Sequence, residues 1–211
     1  MRFDFRNPPR ALVIVLLAIL CVGVGFLADF GITCIEKATH PCDYAEYVEV
    51  YAEQYGVTEA MAYAVIRSES DFESGAVSPA GAIGLMQLMP DTFRWLTDEM
   101  LFEHLEDGMI YDPETNIRYG LYYLSYLYDR FGDWQLALAA YNAGPGSVSE
   151  WLADPEYADG EGGLEKIPYR ETRRYVKRVN RAWKTYDRLY GEEWEETETA
   201  TDTTADGAIS P

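Results

Sequence analysis

The sequence predicts a mainly α-helical fold, with a single globular domain behind an N-terminal transmembrane helix. Three features predict it. An apolar run of helix-spanning length begins at Ala11, apolar side chains recur at helical spacing from Tyr44 onward, and alternating strand patterns are scarce.

Residues 11–28 (ALVIVLLAILCVGVGFLA) would extend about 27 Å as a helix, close to the ~30 Å hydrocarbon core of a bilayer. Arg2, Arg6 and Arg10 precede the run, and Asp29, Glu36 and Asp43 dominate its far side. The positive-inside rule therefore predicts residues 1–10 in the cytoplasm, 11–28 as a single-pass signal anchor in the cell membrane, and the remainder on the extracytoplasmic side. A cleaved signal would have a shorter apolar region and a small-residue cleavage site, and no clear one follows Ala28. Residues 29–43 are expected to be a linker.

The chain has 211 residues, 48% hydrophobic and 25% charged, which suits one domain with appendages. A domain of roughly 150 residues buries about two-thirds of its unfolded surface and needs no staple. The net charge of -19 argues against nucleic acid as a partner, because phosphates call for Lys and Arg. Cys21 lies within the apolar run, whereas Cys34 and Cys42 flank His40-Pro41, either as a disulfide or as two unrelated thiols. With only His40 and His104, a histidine-rich metal site is not expected, and no cofactor is implied.

The globular domain is expected over 44–190. Tyr44, Tyr47, Val48, Tyr51 and Tyr55 share a helical face that ends at Gly56. Thr58 is an N-cap for a second helix carrying Met61, Ala64, Val65 and Ser68. A Gly- and Ser-rich loop follows over 74–84, then a short helix opened by Pro90-Asp91. Asp112-Pro113 starts a long helix with Ile117, Leu121, Leu124, Tyr128 and Phe131 on one stripe. Asp133 caps the next helix, which stops at Gly144-Pro145-Gly146. Residues 152–163 read as an excursion loop. A last helix is expected over 170–190, followed by an acidic disordered tail over 191–211.

Glu69 is the candidate acid. It sits in the last turn of the second helix, at the edge of the face formed by Met61, Ala64, Val65 and Phe72. Partial burial and the negative end of the helix dipole both disfavour its carboxylate. A carboxyl held protonated is what general acid catalysis requires. Asp71 lies two residues on, about 200° around the helix, and reads as surface or capping.

The run ESDFESGAVSPAGAIGLMQLMP, starting at Glu69, resembles the signature of the soluble lytic transglycosylase catalytic domain, a family of lysozyme-like fold related to goose-type lysozyme. DPETNIRYGLYYL, ALAAYNAGPG and IPYRETRRYV continue in the family's order, so the resemblance covers about 44–190. It implies that Glu69 is a single acid/base that cleaves the β-1,4 bond between N-acetylmuramic acid and N-acetylglucosamine in peptidoglycan and leaves a 1,6-anhydro end. It further implies substrate-binding roles for Ser78, Met86, Gln87, Tyr141, Asn142, Glu171 and Tyr175. Met86 is expected as an apolar wall of the groove, and Tyr141 and Asn142 as polar groups near the acid. Glu171 and Tyr175 are expected as a pair beside the active site. The alternatives are hydrolysis, as in goose-type lysozymes, and a catalytically silent glycan-binding scaffold.

Overall fold

The computed structural model describes residues 10–206, with side chains described over 12–194. It divides into two compact units, 1–41 and 42–211. Among the described residues there are eight α-helices and no strand, only three isolated bridges.

The first unit is one helix, α1 (Arg10–Thr39), apolar all round. Its stretch Leu12–Thr39 is long and apolar enough to cross a membrane, and no part of its most apolar window is buried in protein. Ile14, Leu20 and Phe26 are each more than half exposed, which a helix in water would not tolerate along its whole length. The helix runs on through most of the segment expected as a linker. Nothing between Ala28 and Thr39 breaks it. It ends where His40 precedes Pro41, a position that disfavours helical backbone, and where the Thr39 hydroxyl turns back to the Glu36 carbonyl at 3.0 Å. Residues 1–9, expected in the cytoplasm, lie outside the described residues.

The second unit is built around α3 (Glu59–Ser70), in which every residue from Ala60 to Ile66 is buried. Thr58 caps it, its hydroxyl accepting from the Met61 amide at 3.3 Å. The helix before it, α2 (Ala45–Tyr55), ends at Gly56, whose φ of 65° suits glycine. A short α4 (Pro90–Trp95) leads through a π-turn at Leu96–Met100 and a 3-10 turn at Asp107–Tyr111 into α5 (Pro113–Phe131). Asp112 caps α5 by accepting from the Thr115 amide at 2.9 Å. Asp133 does the same for α6 (Trp134–Ala143) through the Leu136 amide. The longest helix, α8 (Arg170–Asp206), lays Tyr175, Val176, Val179 and Tyr186 against the core, chiefly on α3.

Two elements differ from expectation. A further helix, α7 (Pro145–Ala153), follows directly on Gly144, because Pro145 is preset for a first helical position and Val148 and Trp151 are buried. Gly-Pro-Gly is thus a corner between helices. In addition, α8 does not fray into coil at Gly191. Trp194 stacks on Tyr190 and on Tyr63, with ring centroids 5.5 and 5.8 Å apart, and carries the helix past the glycine. Residues 207–211 of the expected tail lie outside the described residues. No disulfide is formed among the described cysteines.

Loop 74–88 crosses the end of α3 and is tied to α5 by one buried side chain. Asn116 accepts from the Met86 amide at 2.8 Å and donates to the carbonyls of Ile83 (3.0 Å) and Ile110 (2.8 Å). Gly84, at φ 81°, passes so close that an added Cβ would come within 2.4 Å of the Asn116 amide. Replacing Asn116 with Ala strands the Met86 amide and the Ile110 carbonyl, each costing about 1–3 kcal/mol when buried, while the Ile83 carbonyl keeps the Leu88 amide. Allowing for relaxation, Asn116→Ala is expected to destabilise the domain by roughly 2–5 kcal/mol in denaturant unfolding. Native stability in that variant would show that the loop is held by other means.

Candidate active site

Glu69 occupies the last turn of α3, one residue before Ser70 and two before the left-handed C-cap Asp71. The helix has to stay in register there because Ser70 is pinned from two sides. Its hydroxyl donates to the Leu85 carbonyl at 2.8 Å, which clamps the loop over the helix end. Glu69 is partly buried. Burial is the main force on its carboxyl, and it raises the pKa from an ordinary 4.5 to about 7, against weaker pulls downward from Tyr175 and Arg178. Asp71 is turned to solvent and faces Arg67 at 3.9 Å, leaving Glu69 as the carboxyl that its surroundings keep neutral.

Two tyrosines frame the acid. On α8, the buried Tyr175 hydroxyl has no partner of ordinary hydrogen-bond geometry, and the charge it favours is that of the Glu69 carboxylate. On α6, the Tyr141 hydroxyl donates to the Met86 carbonyl at 2.8 Å. Burial first, and the negative charge of Glu69 second, push both phenols far above their usual range, so neither ionises in place of the carboxyl.

Arg178 is the group that sequence reasoning missed. One helical turn beyond Tyr175, its guanidinium lies 5.5 Å from that ring and donates to the Ser68 carbonyl at 3.2 Å. It therefore closes the C-terminal end of α3 and places a cation near Glu69. The i, i+3 spacing from Tyr175 was the available signal.

The remaining predicted residues divide. Asn142 is exposed immediately after Tyr141, with no side-chain hydrogen bond among the described residues, so its amide is available to a ligand. Gln87, at φ 49°, spends both amide protons on the carbonyls of Ala76 and Gly84, which leaves its carbonyl oxygen for a ligand. Ser78 is committed to its own turn, its hydroxyl accepting from the Ala82 amide at 3.0 Å. Glu171 is exposed on α8, one turn before Tyr175. Met86 is fully buried, its side chain packed directly against Gly120. Its contribution is the carbonyl that holds Tyr141. Among the described residues no cluster of three or more His, Cys, Asp or Glu is placed to hold a metal.

The raised pKa has a consequence for stability. The fold favours the protonated carboxyl, so Glu69 costs nothing below pH 4.5, and the protein loses stability as pH rises from 4.5 through about 7. The loss is roughly 3 kcal/mol. In Glu69→Gln, unfolding free energy is expected to be flatter over that window and higher than wild type at pH 8. An identical pH profile in the two proteins would contradict the buried carboxyl. Arg178→Gln removes a cation that favours the charged form, and should move the Glu69 midpoint upward in an NMR titration.

The chain is similar to several known proteins. A family model described as the transglycosylase SLT domain matches residues 46–161. The soluble lytic murein transglycosylase of Escherichia coli K12 is 39% identical over 142 residues, 66% of this chain and 22% of that protein. Membrane-bound lytic murein transglycosylase C of Edwardsiella ictaluri is 30% identical over 184 residues, 74% of this chain and 49% of that one. The chain thus spans between about a fifth and a half of the relatives it matches. Among solved structures, the 70 kDa soluble lytic transglycosylase of Escherichia coli superposes with a TM-score of 0.67 at 36% identity, covering 74% of this chain and 26% of that chain. An inactive Glu-to-Gln mutant of lytic transglycosylase Slt from Pseudomonas aeruginosa superposes with a TM-score of 0.65 at 35% identity, covering 74% and 25%. With its family match extending over more than half of its length, this chain belongs to the transglycosylase SLT domain family.

Proposed function

We propose that the chain is a peptidoglycan lytic transglycosylase that uses Glu69 as its single acid/base. The observation that carries this reading is a carboxyl half-buried in the last turn of α3 beside Tyr175 and Tyr141, with the Asp71 carboxylate turned to solvent. Burial pushes the pKa of this carboxyl up to about 7. One group can give a proton and then take one back only if its two forms are close in free energy, and a pKa near 7 meets that condition. The names of the relatives, soluble and membrane-bound lytic murein transglycosylases, support the same substrate.

In the proposed reaction the Glu69 carboxyl donates its proton to the glycosidic oxygen, and the C1–O bond breaks. The acetamido carbonyl oxygen of the muramic unit bonds to C1 and holds the positive charge, in the substrate-assisted manner that dispenses with a second carboxylate. The 6-hydroxyl oxygen then attacks C1 and displaces the acetamido oxygen. Glu69, now ionised, accepts the hydroxyl proton. No water is consumed. The Asn142 amide and the Gln87 carbonyl oxygen are suited to the acetamido and hydroxyl groups of the sugars. The Tyr141 hydroxyl, tethered to Met86, fixes one side of the acid.

The apolar α1 serves in this reading as a membrane anchor, with the basic N-terminus inside and the domain outside. Glu69→Gln is expected to keep the fold and lower the release of soluble fragments from purified peptidoglycan by roughly 10²–10⁴-fold. Near-wild-type turnover in that variant would refute the assignment. Mass analysis of the wild-type products should give ends one water lighter than hydrolysis leaves. A ladder of reducing ends would make the enzyme a hydrolase.

A further inference from the structure

On the Tyr123 side of Tyr141 lies a cavity of about 350 Å³ that the proposed reaction does not use. Its lining includes Trp95 and Asp91 from α4, Tyr123, Tyr126 and Arg130 from α5, and Pro145 at the start of α7. The walls are rings. Trp95 meets Tyr126 edge-on at 5.3 Å and Tyr123 at 6.3 Å, while Tyr123 and Tyr126 lie nearly parallel at 6.4 Å. Tyr123 is also 5.3 Å from the ring of Tyr141, so a single side chain separates this cavity from the surroundings of Glu69. Pro145 closes the same corner that presents Asn142.

Arg130 gives the cavity its chemistry. It is exposed, donates to the Ser149 hydroxyl at 3.3 Å, rests 5.4 Å from the Phe131 ring, and has no ion pair among the described residues. Its charge is felt by the Tyr123 hydroxyl, which burial pushes up to about 12. The one carboxylate in the lining, Asp91, is engaged by Arg94 at 3.0 Å. The whole chain has 36 acidic against 17 basic residues, so its overall field repels anions. Arg130 offers an anion a local cation over aromatic walls. Rings offer stacking faces to sugars and acyl chains, and a guanidinium matches a carboxylate.

We infer that this cavity is a side subsite for the carboxylate-bearing branch of the glycan substrate, seated on Trp95 and Tyr126 with its carboxylate at Arg130. It rests on the glycan reading above. The carboxylate could be that of the lactyl ether itself or that of an attached peptide, and the two share the same chemistry at the guanidinium.

The test is calorimetric binding with the full chain in detergent micelles, in the Glu69→Gln background so that nothing turns over. Four soluble disaccharide fragments serve as probes: lactyl carboxylate free, the same group as methylamide, a peptide branch with free carboxylates, and that branch amidated. Free-carboxylate fragments are expected to bind about three- to fivefold more tightly than their amides, as for an exposed ion pair. Adding Arg130→Gln should abolish the difference, and Arg130→Lys should restore most of it. Whichever pair shows the difference identifies the source. Equal affinity for acid and amide in both pairs, or discrimination that survives Arg130→Gln, overturns the inference. Cleavage is not read, so failure of the transglycosylase reading would appear separately, in the product analysis of the unsubstituted chain.

Discussion

The structure is organised around a carboxyl placed where a buried helix runs out of core. From Ala60 to Ile66, α3 has no solvent-facing side, and only in its last turn does the environment open enough to admit Glu69. Apolar surroundings and the carbonyl end of the helix both resist the negative charge, while Tyr175 and Arg178 favour it more weakly. The balance falls near neutrality. A deeper position would have locked the proton on, and a wetter one would have let it go at ordinary acidity.

That balance depends on parts far from the acid in sequence. Loop 74–88 has to lie across the helix end to keep water out, and Ser70 and Asn116 are the two side chains that hold it there from below. Asn116 carries three hydrogen bonds and is itself almost completely enclosed, so the loop behaves as part of the core despite its glycines. The same loop supplies the Met86 carbonyl that anchors Tyr141. A change in loop register would therefore shift the desolvation of Glu69 and the position of the phenol beside it together.

Much of this was legible in the chain. The caps at Thr58, Asp112 and Asp133, the terminating Gly56, and the placement of Glu69 at the edge of an apolar face all follow from short-range chemistry and were readable as such. What local pattern could not show were effects that depend on distant partners. Met86 sits in a motif that resembles a groove-lining one, but its burial is decided by Gly120, more than thirty residues away. The helix beyond Gly191 persists because Trp194 finds Tyr63. What Asn116 satisfies is revealed only by the folded loop. Arg178 was hidden for the same reason, since its carbonyl partner at Ser68 belongs to another helix.

The joint between α6 and α7 is small, yet it binds two neighbourhoods into one. Gly144 adopts φ 85° and ψ 144°, a backbone state that side chains exclude, and it stands between Asn142 on one side and Pro145 on the other. Whatever this corner does for the cutting residue it does also for the aromatic hollow next door. Ancestral chains could therefore not retune one without disturbing the other. Variation in specificity across such proteins should accumulate in the rings and charges around this hinge of the architecture, while the hinge itself stays bare.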